Sequence, residues 1–188
     1  AGVLTIIAGA ASMALGNYLA VKSQKEFYEA MEKVERWEIE HKPDVERDEI
    51  REIYTNMGFD KATVELLTKK VAANRDLWLK VMMRDELGLT REESPAIAGI
   101  LIGFFYLAAG IPPVLPFILF EPVARSLVMS IFAAVVVMVL IGSMRWWLNR
   151  GSYGRKVIET IIIGLVAAGI GFIAGEALHF FGITGVTI

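Results

Sequence analysis

The chain has 188 residues, of which 55% are hydrophobic, and its formal net charge is −2. It contains no cysteine and only two histidines, His41 and His179. This composition excludes disulfides, thiolate zinc sites, cysteine-ligated iron–sulfur clusters and histidine-rich metal sites. Any metal chemistry must therefore use carboxylates, thioethers, backbone carbonyls and water. The charge pattern is not typical of a nucleic-acid-binding surface.

The charged residues are concentrated in one segment. Residues 22–95 hold 14 of the 19 Lys and Arg residues and 18 of the 21 Asp and Glu residues. The rest of the chain forms apolar runs of about 20 residues, which is long enough to cross a ~30 Å hydrocarbon core. The pattern predicts an all-α fold: a polytopic membrane helix bundle with four spans in this chain and a helical domain, 22–95, inserted after the first span.

The first span is predicted over residues 1–21. It is rich in small residues, which let helices approach closely in a membrane. Met13 and Asn17 lie four residues apart and share one helical face. Met13 is either a packing residue or part of a path through the membrane. Because no helix breaker lies between Leu19 and His41, the helix is predicted to leave the membrane unbroken and to end at Pro43.

Three further helices are predicted in the charged domain. Asp44 is expected to cap a helix over 45–57, and Asp60 is expected to cap the next, over 61–73. The third is predicted over 75–87, ending at Gly88.

Glutamates recur at intervals of three along these helices, and the domain ends with two methionines and another glutamate. Residues at this spacing share one face of a helix. Oxygen ligands combined with a thioether favour late first-row ions such as Fe²⁺ over Mg²⁺ or Ca²⁺. Spacing does not select the ligands, and solvated Glu/Lys helices with a methionine core explain the same pattern. The candidates are Glu26, Glu29, Glu32, Glu35, Glu38, Glu46, Glu49, Glu52, Met82, Met83 and Glu86.

Residues 96–188 are predicted to contain three more spans, at about 96–120, 126–144 and 157–181. Pro112, Pro113 and Pro116 indicate either a broken helix whose freed carbonyls could meet an ion, or a simple kink or early helix end. Glu159 and Glu176 are predicted to lie at the ends of the last span.

The orientation in the membrane follows from the loop predicted at 145–156. This loop has four cations and no acid, and such loops stay cytoplasmic. Two spans separate it from residues 22–95, so the charged domain is predicted to be cytoplasmic as well.

Residues 9–24, GAASMALGNYLAVKSQ, resemble the second transmembrane helix of the vacuolar iron transporter family. Residues 49–59 and 81–89 resemble the cytoplasmic metal-binding domain of that family, and the similarity extends over essentially the whole chain. The resemblance implies that Met13 lies on the transport path. It also implies a metal site formed by Glu35, Glu38, Glu46, Glu49, Met82, Met83 and Glu86.

The resemblance further implies a function. Members of this family exchange Fe²⁺ for protons, remove iron from the cytosol, work as dimers and have five membrane helices. We therefore expect a multi-pass protein of a microbial cell membrane or a vacuole-type membrane that binds Fe²⁺, or else Mn²⁺, Co²⁺ or Zn²⁺, and is not an enzyme. The first membrane helix of the family, with its aspartate, has no counterpart here, so an upstream span is expected.

Two other functions remain open at this point. The chain could be a membrane-anchored module that binds or senses metal without transporting it. It could also be a structural protein with a charged helical arm, which would have no affinity for metal.

Overall fold

The computed structural model describes residues 2–90 and 94–180, except for the side chains of Leu178 and His179. The described residues form helices and connecting turns, with no strand among them, which confirms the all-α prediction. The elements are α1 (Gly2–His41), α2 (Pro43–Asn56), α3 (Lys61–Ala72), α4 (Arg75–Val81), a π-helical turn (Met82–Glu86), α5 (Pro95–Val114), α6 (Pro116–Leu119), α7 (Val123–Asn149) and α8 (Tyr153–Phe180).

Four of the described helices are long and apolar enough to cross a membrane. They are α1, α5, α7 and the part of α8 over Tyr153–Ala177. This finding confirms the prediction of a polytopic helix bundle with four spans in this chain. The last residue of the fourth predicted span, and the residues that follow it, lie outside the described part of the chain.

The chain divides into two compact units. One is Ala10–Gly103, which contains most of α1, the helices α2 to α4 and the start of α5. The other comprises residues 1–9 and 104–188, as far as they are described. The first unit has a hydrophobic core around the π-helical turn, formed by Ile39, Ile50, Val71, Trp78, Leu79, Val81, Met82 and Met83.

Helix α1 is continuous for 40 residues, as predicted, and passes from an uncharged half into a charged half without interruption. Its uncharged half packs closely on α5. A Cβ atom placed on Gly99 would lie 2.7 Å from the carbonyl oxygen of Ala14 and 3.2 Å from the Cβ of Tyr18. Because only glycine permits this approach, the contact sets the distance between the two helices where α5 begins.

The start of α2 differs from the prediction. Pro43 is the first residue of the helix, and Lys42 precedes it without a side-chain cap. The fixed backbone angle of proline suits the first helical position, where no N–H is needed. The predicted capping role of Asp44 is therefore wrong. The predicted cap of α3 is confirmed, since Asp60 Oδ1 accepts hydrogen bonds from the backbone N–H groups of Ala62 and Thr63 at 3.0 and 3.1 Å.

The proline-rich segment ends α5 early. Pro112 and Pro113 lie in its last turn, and α6 begins at Pro116. The Ser130 hydroxyl on α7 donates a hydrogen bond of 2.6 Å to the carbonyl oxygen of Pro113. A hydroxyl on a neighbouring helix thus satisfies a carbonyl that the end of α5 leaves without an intrahelical donor. Of the two interpretations of this segment, the structure favours a simple early helix end.

The predicted basic loop at 145–156 is shorter in the structure. Helix α7 runs to Asn149 and α8 begins at Tyr153, because no helix breaker precedes Gly151, whose φ is +96°. The carboxylate of Glu159 lies 3.6 Å from the guanidinium of Arg145 and 3.0 Å from that of Arg155. Glu159 thus forms ion pairs near the start of α8, where the sequence predicted the end of a span.

Candidate metal centre

Two glutamates of the first unit are buried. Glu35 on α1 is 5% exposed, and Glu46 on α2 is 2% exposed. Glutamate is almost never fully buried unless it has a partner. Glu38 and Glu49 are half-buried beside them, and Glu86 lies at the exposed edge. We call these five residues the acidic cluster.

Burial and repulsion between carboxylates raise the pKa values of Glu35, Glu46, Glu49 and Glu86. Burial, followed by repulsion from the neighbouring carboxylates, raises the pKa of Glu35 and of Glu46 from 4.5 to about 7. The pKa values of Glu49 and Glu86 are also raised, first by partial burial and then by the nearby acids. Such mutual repulsion is what a bound cation or bound protons would relieve.

The buried carboxylates are also short of hydrogen bonds. The Oε2 atoms of Glu35 and Glu46 have no hydrogen-bond partner in the described part of the chain. An unpaired buried carboxylate oxygen is costly. By contrast, Glu32 on the same helix accepts a hydrogen bond of 2.9 Å from Arg36. Glu35 and Glu46 are therefore the members of the glutamate series best placed to hold a cation or a proton.

The π-helical turn contains two methionines that are buried in the core of the first unit. The N–H of Leu87 donates to the carbonyl oxygen of Met82 at 3.1 Å, which is the wider spacing of a π-helix. Met82 and Met83 are 0% and 1% exposed. The sequence predicted a regular helix to residue 87, which is wrong here. The observed turn buries two consecutive side chains that would point about 100° apart in an α-helix.

The described side chains do not form a completed metal site. No three acidic or histidine side chains among them are arranged as a metal-ligand group. The predicted ligands lie on three neighbouring elements, and their carboxylates repel one another. Met13 lies 22 residues before Glu35 on α1, or about 33 Å away at 1.5 Å per residue, and is 50% exposed. Met13 therefore belongs to the membrane-spanning half of the helix.

An open depression of about 370 Å³ borders the acidic cluster. Glu49 and Glu86 line it together with Glu52 and Asp85, which were not among the selected ligands. The three-residue spacing after Glu49 made Glu52 one of the sequence candidates, although the family resemblance did not select it. The place of Asp85 depends on the π-helical turn, which sequence periodicity did not reveal. The depression gives cations an acidic approach to Glu49 and Glu86.

The sequence was compared with known proteins. The sequence model of the VIT family matches residues 1–176. "Vacuolar iron transporter 1" of Tulipa gesneriana is 30% identical over 181 residues, which cover 95% of this chain and 73% of that protein. The protein of the same name from Arabidopsis thaliana is 30% identical over 95% of this chain and 72% of its own length. "Protein CCC1" of Saccharomyces cerevisiae is 30% identical over 178 residues, covering 89% of this chain and 55% of that protein.

Proposed function

The chain belongs to the VIT family, and from that membership we propose that it is an iron transporter of the proton-coupled antiport type. It is a multi-pass membrane protein, and the members of its family are transporters rather than enzymes. The proposed cargo is Fe²⁺, with Mn²⁺, Co²⁺ and Zn²⁺ as further candidates, and the direction is out of the cytosol. The observation that carries the proposal is the pair of buried, unpartnered carboxylate oxygens on Glu35 and Glu46.

These two glutamates link metal binding to protons. Because their pKa values are about 7, both hold protons part of the time at neutral pH. A divalent cation binds the ionised form, so capture releases protons and weakens as the pH falls. In the proposed site, Glu38, Glu49 and Glu86 add oxygen ligands.

Two thioethers would complete this site. Met82 and Met83 are buried in the core of the same unit as the acidic cluster. Thioether sulfur favours borderline transition ions over Mg²⁺ and Ca²⁺, which take oxygen ligands. The same helix that carries Glu35 carries Met13 in its membrane-spanning half, and we place Met13 on the transport path.

The acidic cluster is proposed to face the cytosol. Basic residues are clustered around the connection between α7 and α8. They are Arg145, Arg150, Arg155 and Lys156. Such groups stay cytoplasmic, and two spans separate them from residues 22–95. The names of the relatives favour a vacuole-type membrane, and a microbial cell membrane is the alternative.

An exposed apolar stripe on α1 supports a homodimer. Phe27, Val34 and Trp37 are 54%, 46% and 50% exposed, and Ala30 and His41 complete the three- and four-residue spacing. Such a stripe is typical of a helix that packs against a parallel partner. Two copies with the same membrane topology are related by an axis along the membrane normal, so their α1 helices run in parallel.

The alternative function is a membrane-anchored module that binds or senses metal without transporting it. It would use the same acidic cluster, so metal binding by itself does not separate the two functions. A measurement of metal flux separates the two functions, because only the transporter moves metal across a sealed membrane.

The decisive experiment combines binding and flux on the full-length protein. Calorimetry should show that Glu46→Ala/Glu49→Ala lowers the affinity for Co²⁺ or Fe²⁺ by more than about 10-fold, or ~1.4 kcal/mol. Glu32→Ala, in the same glutamate series but paired with Arg36, is the matched control and should bind normally. In proteoliposomes, metal uptake should accompany a proton flux in the opposite direction.

Each negative result contradicts a different part of the proposed function. Unchanged metal binding in the Glu46→Ala/Glu49→Ala protein would remove the site assignment. Normal binding without pH-dependent flux in the unaltered protein would favour the sensing module. Absence of any metal affinity would leave only a structural role.

A further inference from the structure

We propose that an open depression on the first unit, which we call the cavity, binds the headgroup of a phospholipid that carries both a phosphate and a primary ammonium group, as phosphatidylethanolamine does. The cavity has a volume of about 340 Å³. This proposal rests on where α1 and α5 cross the membrane boundary, and it does not require metal transport. The lining residues used in the argument are Tyr18, Lys22, Lys25, Glu26, Glu29 and Ser94.

The cavity lies at the level of the lipid headgroups. Residues 2–21 of α1 carry no charge, and Lys22 is the first charged residue of the chain. On the opposite wall, Ser94 directly precedes the apolar helix α5. The close contact of Gly99 with Ala14 and Tyr18 holds these two helices together just inside this level. Both walls therefore pass from hydrocarbon to water at the cavity.

The charges in the cavity follow the order of groups in the lipid. Going outward along α1, the hydroxyl of Tyr18 comes first, then the two lysines, then the two glutamates. Each glutamate lies four residues beyond a lysine, or about 6 Å along the axis. In phosphatidylethanolamine the acyl chains are followed by the phosphate and then, furthest out, by the ammonium group. The lysines can thus meet the phosphate while Glu26 and Glu29 accept hydrogen bonds from the ammonium group.

These side chains are not tightly paired with one another. The Nζ of Lys22 is 3.7 Å from Glu26, and the Nζ of Lys25 is 3.8 Å from Glu29. Further along the helix, the Arg36–Glu32 pair is at 2.9 Å, which is hydrogen-bonding distance. Exposed pairs of the looser kind contribute little to stability. A lipid headgroup can therefore replace these pairs, with its phosphate binding the lysines and its ammonium group binding the glutamates, at a small cost in free energy.

The balance of charge selects the class of lipid. Two lysines and two glutamates give the cavity no net charge, so an anionic headgroup would leave both carboxylates facing its phosphate without a cation. A choline headgroup has the right charges, but its trimethylammonium group cannot donate hydrogen bonds to Glu26 and Glu29. Ethanolamine is the headgroup that satisfies both ends of the cavity.

The test is native mass spectrometry of the full chain, released from micelles that contain equal amounts of phosphatidylethanolamine, phosphatidylcholine and phosphatidylglycerol. We expect the ethanolamine lipid to be retained preferentially. Lys22→Gln/Lys25→Gln and Glu26→Gln/Glu29→Gln should each lower that preference by about fivefold or more. Lys33→Gln/Arg36→Gln and Glu32→Gln/Glu40→Gln are the matched controls, on the same helix but outside the cavity, and should retain it.

The outcomes separate the lipid site from the metal site. Calorimetric metal binding should equal that of the unaltered protein in all four variants, and an unchanged thermal unfolding midpoint shows that each one is folded. A variant that fails this check is replaced by Lys22→Gln or Glu26→Gln alone. Preferential retention of phosphatidylglycerol, or an unchanged lipid preference in the Glu26→Gln/Glu29→Gln protein, would overturn the proposal. Equal losses in the control variants would overturn it as well.

Discussion

Burial distinguishes Glu35 and Glu46 from the other glutamates of the charged domain. Glu32 and Glu38 on the same helix accept hydrogen bonds from Arg36 and Lys42. Glu35 and Glu46 form no ion pair among the described residues, and each has a buried oxygen without a partner. A domain that needed these positions only for packing would be more stable with apolar residues there. Two buried glutamates with unpartnered oxygens therefore support the proposed cation site.

The pKa values of these two glutamates predict how stability depends on pH. In the metal-free protein, both carboxyls are protonated below about pH 4.5 whether the chain is folded or unfolded, so burial then costs nothing. As the pH rises towards 7, the unfolded chain ionises first, and stability is lost. The loss is complete above the folded pKa of about 7. By linkage it amounts to at most roughly 3 kcal/mol for each carboxyl group.

The measurement is urea unfolding in the presence of a chelator, followed by the fluorescence of Trp78, with the other three tryptophans replaced by phenylalanine. Trp78 is 3% exposed and reports on the core. The urea concentration at the unfolding midpoint should decrease as the pH is raised from 5 to 8. The Glu35→Gln/Glu46→Gln substitutions should remove most of that decrease. An equally steep fall in the double variant would show that other groups cause it. Glu32→Gln/Glu40→Gln, which also removes two charges but at positions that are not buried, serves as the charge-matched control.

At the scale of elements, the π-helical turn has the largest effect on the site. It places Met82 and Met83 side by side in the core and leaves Glu86 at its edge. Helix α1 contributes three separate faces. One buries Glu35 and Ile39, one exposes the apolar stripe, and one lines the lipid-level cavity. A single continuous helix can therefore serve the metal site, a partner chain and the membrane boundary at once.

The buried methionines predict a change in metal selectivity. Met82→Leu/Met83→Leu keeps similar volumes, so the free energy of unfolding should change by less than about 1.5 kcal/mol per site. The loss of two thioethers should lower the affinity for Co²⁺ or Fe²⁺ about 10-fold or more, with little change for Mn²⁺. Calorimetry with each ion measures both affinities.

A comparison variant tests packing separately. Met83→Ala should destabilise the fold by about 2–5 kcal/mol, because it leaves a cavity in the core. If the double leucine variant binds every ion normally, the two methionines are core residues only.

At the scale of the whole molecule, the membrane limits how two copies can assemble. In the proposed homodimer both copies insert with the same topology, so two α1 stripes that face each other run in parallel. The stripe contains Trp37, which stacks on His41 with ring centroids 4.6 Å apart. Large exposed aromatic residues of this kind are typical of interface anchors.

The stripe predicts the effect of a charge on assembly. Val34→Glu/Trp37→Glu should shift the purified protein from dimer to monomer, because like charges would face each other across the parallel interface. Light scattering in detergent measures the mass of the complex. Leu66→Glu, at a position on α3 that is 55% exposed, is the control and should leave the mass unchanged. A dimer that survives the double substitution must be held together elsewhere.

Much of the fold could be predicted from the sequence. Apolar runs of membrane-spanning length predicted the four spans, and the absence of a breaker before Pro43 predicted the continuous α1. The cap at Asp60 followed from side-chain chemistry. These features depend on hydropathy, proline and short polar side chains. Each of these signals affects only the backbone within a few residues of it in the sequence.

The sequence by itself determined the all-α membrane class of the protein and a set of candidate metal ligands, because these depend on composition and local spacing. It did not separate Glu35 and Glu46 from the other glutamates of their series, since all share the same periodicity. Only the tertiary structure decided that these two are buried, that Met82 and Met83 lie in a π-helical turn within the core, and that Lys22 and Lys25 line a cavity with the start of α5. Burial and proximity arise from contacts between residues distant in sequence, which helical periodicity does not encode.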